Sequence, residues 1–383
     1  MTTARQRDNP ENKEMRFSFA RIASATVIAA SLACASAGGP PTNTPGPRGN
    51  GADTSSVQVL WPVRTHFHVD LWLHGFAMIQ DDTTTVPFFR RGYKADMNDL
   101  KRRANVSTLL DTNMQKLRAR LAVNPQLVNA QFVPLYFESF DELAQAADLL
   151  YRADGNPRAA SSQQAAEVIQ ILNGYFPTQL DRDWLRLFVQ SVRDEDARFY
   201  RSYYNQQMAE RGDVVTQVNN LWQNTYRPRL QRFLNNTTQR SGEIVLSMPL
   251  DGEGRTLSTG KTQNTSVVTF PTRLSDAIES IYVVAHELSG NIVSIAVRDN
   301  VTPTDQRMGL ADRYIAAGSV RAGAILLQKV SPDLVDGYAR YYLRSANKPI
   351  GSNATASLAL AFPLPDRIRD AITRQIEVVL GGI

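Results

Sequence analysis

Near residue 242 the apolar pattern of the chain changes its period, and this change constrains the fold more than any other feature. From Ser107 to Asn235 apolar residues recur every three to four positions, the spacing that gives a helix one buried stripe. The spacing predicts helices over Leu109–Leu121, Phe140–Leu150, Ala165–Leu172, Trp184–Tyr204 and Val214–Leu234. Asn156-Pro157, Pro177-Thr178 and Arg211-Gly212 punctuate them, and Pro228 predicts a kink. After 242 two β-branched runs, Gly242 to Pro249 and Thr265 to Pro271, flank the Gly-rich Asp251 to Arg255 and predict an antiparallel pair. A long helix is predicted from Leu274 to Asp299, with Ile281, Val284, Leu288, Ile292 and Ile295 on one stripe. Further helices are predicted over 303–329, 332–344 and 363–380. Upstream, Val63 to Asp70 alternates like a strand and Leu71 to Gln80 reads as a short helix. The expected class is α+β, predominantly α-helical. A mainly helical region, 57–241, precedes a region, 242–383, in which a β-hairpin packs on a long buried helix carrying His286 and Glu287.

The first 56 residues have a different logic. Arg16 and Arg21 flank an apolar run from Ile22 to Cys34 that is shorter than a membrane span and leaves through small residues. This resembles a bacterial secretory signal, with Met15 as a more compact start than Met1. Cys34, the only cysteine, stands behind Ser31-Leu32-Ala33, and this resembles the processing site of a bacterial lipoprotein. That implies a signal peptide over 1–34, lipidation of Cys34, a membrane anchor through the lipid and a place in the cell envelope. Cleavage after Ala37 would instead give a periplasmic or secreted product. Residues 35–56 are rich in Pro and Gly, as flexible tethers are. With Cys34 consumed or removed, neither disulfides nor thiolate–metal sites remain available to the fold.

Charge excludes one large class of partner. The chain carries 42 basic and 37 acidic residues, and residues 1–34 hold five and three of these, leaving 37 against 34. The charges are interspersed, so no nucleic-acid-binding face is expected. No Gly-x-Ser-x-Gly elbow occurs, and Gly252 to Arg255 lacks the strand–loop–helix context of a phosphate site. Phe199, Tyr200, Tyr203 and Tyr204 recur at helical spacing and read as core or groove lining.

The chemistry concentrates on His286-Glu287, in the middle of the long helix. Zinc peptidases carry His-Glu-x-x-His on a helix, where two His one turn apart hold zinc and the Glu is the general base. A strand pair followed by a buried His-Glu helix and further helices resembles the core of gluzincin-type metallopeptidases over residues 242–345. The resemblance implies His286 as a metal ligand, Glu287 as the catalytic base and Zn²⁺ as cofactor. It also exposes departures: position 290 is Gly, Asn291 points about 100° further round the helix, and no Glu lies between Glu287 and Glu377. Gln328 stands about where such a Glu is needed, and Asp299 and Asp312 are other acids in reach. Zinc wants three protein ligands, so the resemblance implies a degenerate copy with no cofactor expected. Glu279, two turns before His286, offers an ordinary Glu–His contact.

The other three His, His66, His68 and His74, cluster together. On a strand His66 and His68 would share a side and make a metal pair, or a composite site with His286. Three functions follow: an exported envelope protein binding a peptide or envelope protein on a metallopeptidase-like scaffold, an active zinc peptidase using His286 and Glu287, or a helical envelope scaffold docking through 107–235.

Overall fold

A computed structural model describes residues 60–81, 84–258 and 263–381. The signal segment 1–34, Cys34 and the tether 35–56 lie outside the described residues. The fold is predominantly helical with one small mixed sheet. Its strands are β1 (Val63–Thr65), β2 (Glu243–Ser247), β3 (Arg255–Ser258) and β4 (Asn264–Thr269), in the order β1-β2-β4-β3. β1 pairs parallel with β2, and β2 pairs parallel with β4, Val245 opposite Val267. The expected antiparallel pairing of the two β-branched runs is therefore corrected. The antiparallel partner of β4 is β3, with Thr256 opposite Ser266. Both β2 and β4 are buried throughout, as strands covered on both faces are. β3, polar and partly exposed, forms the edge. β1 comes from the first expected region and β2 to β4 from the second, so the boundary at 241/242 runs through one sheet.

The strand expected over Val63–Asp70 stops at Thr65, and helix α1 (Phe67–Ile79) begins two residues later. It is followed by α2 (Tyr93–Arg103), α3 (Leu109–Val123), α4 (Phe140–Arg152) and α5 (Gln163–Tyr175). Local chemistry sets several starts: Thr108 and Asp111 form a capping box on α3, and the Ser139 and Ser162 hydroxyls cap α4 and α5. One rod then runs without a break from 179 to 236. It consists of α6 (Gln179–Glu195), a π turn at Asp196–Tyr200, α7 (Arg201–Leu221), a second π turn at Trp222–Tyr226 and α8 (Arg227–Asn236). Arg211-Gly212 does not interrupt it. Pro228 does not end the rod either; it directly follows the second π turn, in the first turn of α8.

The sheet is followed by α9 (Ile278–Asn300), α10 (Pro303–Arg307), α11 (Ala311–Val330), α12 (Val335–Ser345), α13 (Ala354–Ala361) and α14 (Asp366–Gly381). The single helix expected over 303–329 is split, because Gly309 adopts φ +65° between α10 and α11. Leu274–Asn300 is long and apolar enough to cross a membrane by length and composition, yet 72% of its apolar window is buried in the fold. Ile281, Val284, Leu288 and Ile292 are buried as the stripe predicts, and Ile295 is half-buried.

Candidate functional site

His286 lies near the middle of α9 and is 3% exposed. Its ring stacks on Tyr342 of α12, centroids 5.4 Å apart, and the Tyr342 hydroxyl donates to the Gly252 carbonyl at 3.0 Å. The Nδ1 atom lies 2.9 Å from Glu287 Oε1. The same carboxylate oxygen accepts the Gly254 N–H at 3.0 Å. The Glu287 side chain is 10% exposed. Glu279, the expected partner of His286, pairs with Arg344 instead.

The loop between β2 and β3 completes the site. It brings the Glu253 carboxylate to 3.8 Å from His286 Nε2, and that nitrogen is buried without a hydrogen-bond partner. One ligating atom each from Glu253, His286 and Glu287 lie within 4.8 Å of one another. Burial lowers the imidazole's affinity for a proton, but the carboxylates of Glu253 and Glu287 outweigh it and raise the pKa above the ordinary value. Gly254 is obligatory here: a Cβ would stand 2.4 Å from the Val267 carbonyl oxygen and 3.1 Å from Glu287 Cγ. Gly252 to Arg255 lacks a phosphate-loop context in the sequence. Its glycines serve close approach to a neighbouring strand and helix.

These residues open onto a cavity of about 810 Å³ between β3, α9 and the start of α11. Thr256 and Ser258 line one side, Gly290 and Asn291 the floor along α9, and Asp312 and Tyr314 the far side. Of the acids and amides considered as a third ligand, Asp312 borders this cavity. Asp299 is exposed beside Arg298, and Gln328 lines a separate cleft near α13. A Cβ at Gly290 would meet nothing within 4 Å.

His66, His68 and His74 do not line the cavity at His286. Because the strand ends at Thr65, His66 is the N-cap of α1 and His68 is in its first turn, so the two-residue strand period does not relate them. His66 Nε2 meets Glu243 at 3.2 Å, and His68 Nε2 meets the Phe137 carbonyl oxygen at 2.9 Å. Neither belongs to the cluster of ligating atoms at His286. His74 is buried in a polar network. Its Nδ1 meets the Tyr93 hydroxyl at 2.9 Å, its Nε2 meets Glu195 at 3.0 Å, and its ring stacks on Tyr200 at 4.1 Å. Lys101 reaches Glu195 at 2.7 Å and Asp111 at 2.8 Å. Burial pulls the His74 pKa down. It pushes Glu195 up, but His74 and Lys101 overcome it and hold Glu195 at about 2. Asp70 accepts from the Ser247 hydroxyl at 2.6 Å, the Met248 N–H at 2.8 Å and the Tyr200 hydroxyl at 2.9 Å. Burial, only partly offset by these donors, raises it to about 6. The network ties α1, the first π turn and the exit of β2 together, upstream of the loop that carries Glu253. Phe199, Tyr200 and Tyr204 are core residues.

Comparison with family models, with curated proteins and with solved structures finds no match.

Proposed function

We propose that this is an exported envelope protein whose cavity over His286 binds an extended peptide by adding it to the outer edge of β3. The observation that carries the reading is the position of that edge: Thr256 and Ser258 of the last strand line the same cavity as His286 and Gly290. An edge strand offers backbone N–H and C=O groups to a partner strand, and alternate side chains of the guest fall into flanking pockets. At about 3.3 Å per residue, the four residues of β3 span about 13 Å. The volume is in the range of small-ligand pockets, about 300–1,000 Å³. Arg255, whose guanidinium lies over the rings of Phe88 and Phe132, lines the same cavity at the start of the edge.

The hairpin of β3 and β4 set against the His286 helix supports the likeness to a metallopeptidase core. The arrangement supports binding over hydrolysis, because position 290 has no side chain to act as a ligand and Glu287 is hydrogen-bonded to His286 and Gly254. Export and anchoring rest on residues 16–34. Loss of membrane association in Cys34→Ser would support the anchor, and an unprocessed product in the cytosol would refute export.

The binding test uses affinity selection from a random nonapeptide library on the immobilised full chain and on Gly290→Trp. A Cβ at this position meets nothing within 4 Å and the position lines the cavity, so the indole is placed to occupy it. Peptides enriched on the parent and lost on Gly290→Trp, with unchanged thermal stability, are the expected result. No enrichment, or equal enrichment on both, overturns the proposal.

A further inference from the structure

We propose that Glu253 and His286 form a binding site for a zinc-class divalent cation, with Glu287 orienting the imidazole from behind. The signal is an unmet polar atom. His286 is 3% exposed, and its Nε2 has no hydrogen-bond partner although it faces a carboxylate 3.8 Å away. A buried imidazole nitrogen left unpaired is costly, and such atoms are rare. A metal resolves it. At ligand distances of about 2.1 Å a tetrahedral centre separates two donors by about 3.4 Å, so a shift of about 0.4 Å brings Glu253 into place. The Glu253 side chain is 21% exposed and extends from the loop between β2 and β3.

The far side of the ring is built as metal-binding histidines are. Glu287 accepts the Nδ1–H at 2.9 Å and is itself fixed by the Gly254 N–H at 3.0 Å. That fixes the tautomer with the Nε2 lone pair toward Glu253 and raises the basicity of the ligand. The loop residue Glu253 and its neighbour Gly254 therefore hold the two ends of one arrangement. An imidazole with a carboxylate selects Zn²⁺ over Mg²⁺ or Ca²⁺, which prefer all-oxygen sets. Two protein donors are one fewer than a catalytic zinc centre has, so water from the cavity that Glu253 and His286 line would complete the coordination. This site differs from the His-Glu-x-x-His pattern, since its carboxylate ligand comes from the loop before β3 and Glu287 acts behind the ring. The inference is independent of peptide binding: a chain that selects no peptide can still bind the ion.

The test titrates the full-length chain with Zn²⁺ by calorimetry in a Cys34→Ser background, which removes the only thiol. The expected result is one Zn²⁺ per chain, not displaced by excess Mg²⁺ or Ca²⁺. Affinity should fall by about tenfold or more in Glu253→Gln and vanish in His286→Ala. His66→Ala should leave it unchanged, although His66 also faces a glutamate. Should His286→Ala fail to fold, Glu253→Gln alone decides. Absence of stoichiometric binding at sub-millimolar Zn²⁺, or binding unchanged by Glu253→Gln, overturns the proposal. Loss of binding in His66→Ala alone would move the ion to the other histidine and overturn it too.

Discussion

Replacing Asp70 by Asn should flatten one limb of the pH dependence of stability. Asp70 is fully buried and titrates at about 6 in the folded protein against 3.8 as its ordinary value. At about 1.4 kcal/mol per unit, that gap corresponds to about 3 kcal/mol of destabilisation whenever the folded group is ionised. The sign follows from proton uptake. Between about pH 6 and pH 4 the folded protein holds a proton on Asp70 that the unfolded chain has lost, so stability from this group rises as pH falls through that window. Above about pH 6 the full cost is present, and below about pH 4 none remains. Asn keeps the shape: its oxygen can accept from Ser247 and Met248, as Asp70 Oδ1 does, and its amide can donate to the Tyr200 oxygen. Urea unfolding of parent and Asp70→Asn at pH 4 and pH 7.5 isolates the term, since all other groups titrate alike in both. The stability difference should move by about 3 kcal/mol in favour of the variant on going to pH 7.5. Parallel curves for the two proteins would refute the assignment.

Three further outcomes follow from the same contacts. Glu195, held at about 2, stabilises the fold above its unfolded value of 4.5 and loses that contribution as pH falls from 4.5 toward 2. Glu195→Gln should therefore blunt acid unfolding over that range, read by circular dichroism. Lys101→Met leaves Glu195 and Asp111 without their shared cation and should cost about 3–5 kcal/mol in urea unfolding. Gly254→Ala forces a Cβ against the Val267 carbonyl and should destabilise by about 1–3 kcal/mol, whereas Gly290→Ala, in open space on α9, should stabilise by about 0.5–1 kcal/mol.

Helices with an apolar stripe were legible, whereas the largely polar α2 and the eight-residue α13 were not. Periodicity marks Leu109–Val123 and Phe140–Arg152, and Thr108 with Asp111 marks where the first of them begins. The sheet was less legible. Period and β-branching identify β2 and β4 as strands, but nothing in either run states the direction of its partner. β4 enters between β2 and β3, and the short polar β3, Arg255 to Ser258, lacks the apolar run that announces a strand. The π turns hide for the same reason: Tyr200 reaches Asp70 through a local change of helical register that no 3.6-residue pattern encodes. At the site, His286 and Glu287 stood out because of their adjacency. Glu253 did not, because its proximity to them is a product of strand crossing, 33 residues before His286 in the chain. His66 and His68 are neighbours, their ring centroids 5.7 Å apart, but through the start of a helix and not through the strand that their spacing suggests.

The central claim is that an extended guest occupies the outer edge of β3 above His286. Hydrogen exchange of the Arg255–Ser258 amides, with and without the peptide selected on the parent chain, tests it most directly. Those β3 amides facing away from β4 should become protected, and Gly290→Trp should abolish the effect. Unchanged exchange along β3, with protection appearing on another face, would contradict it.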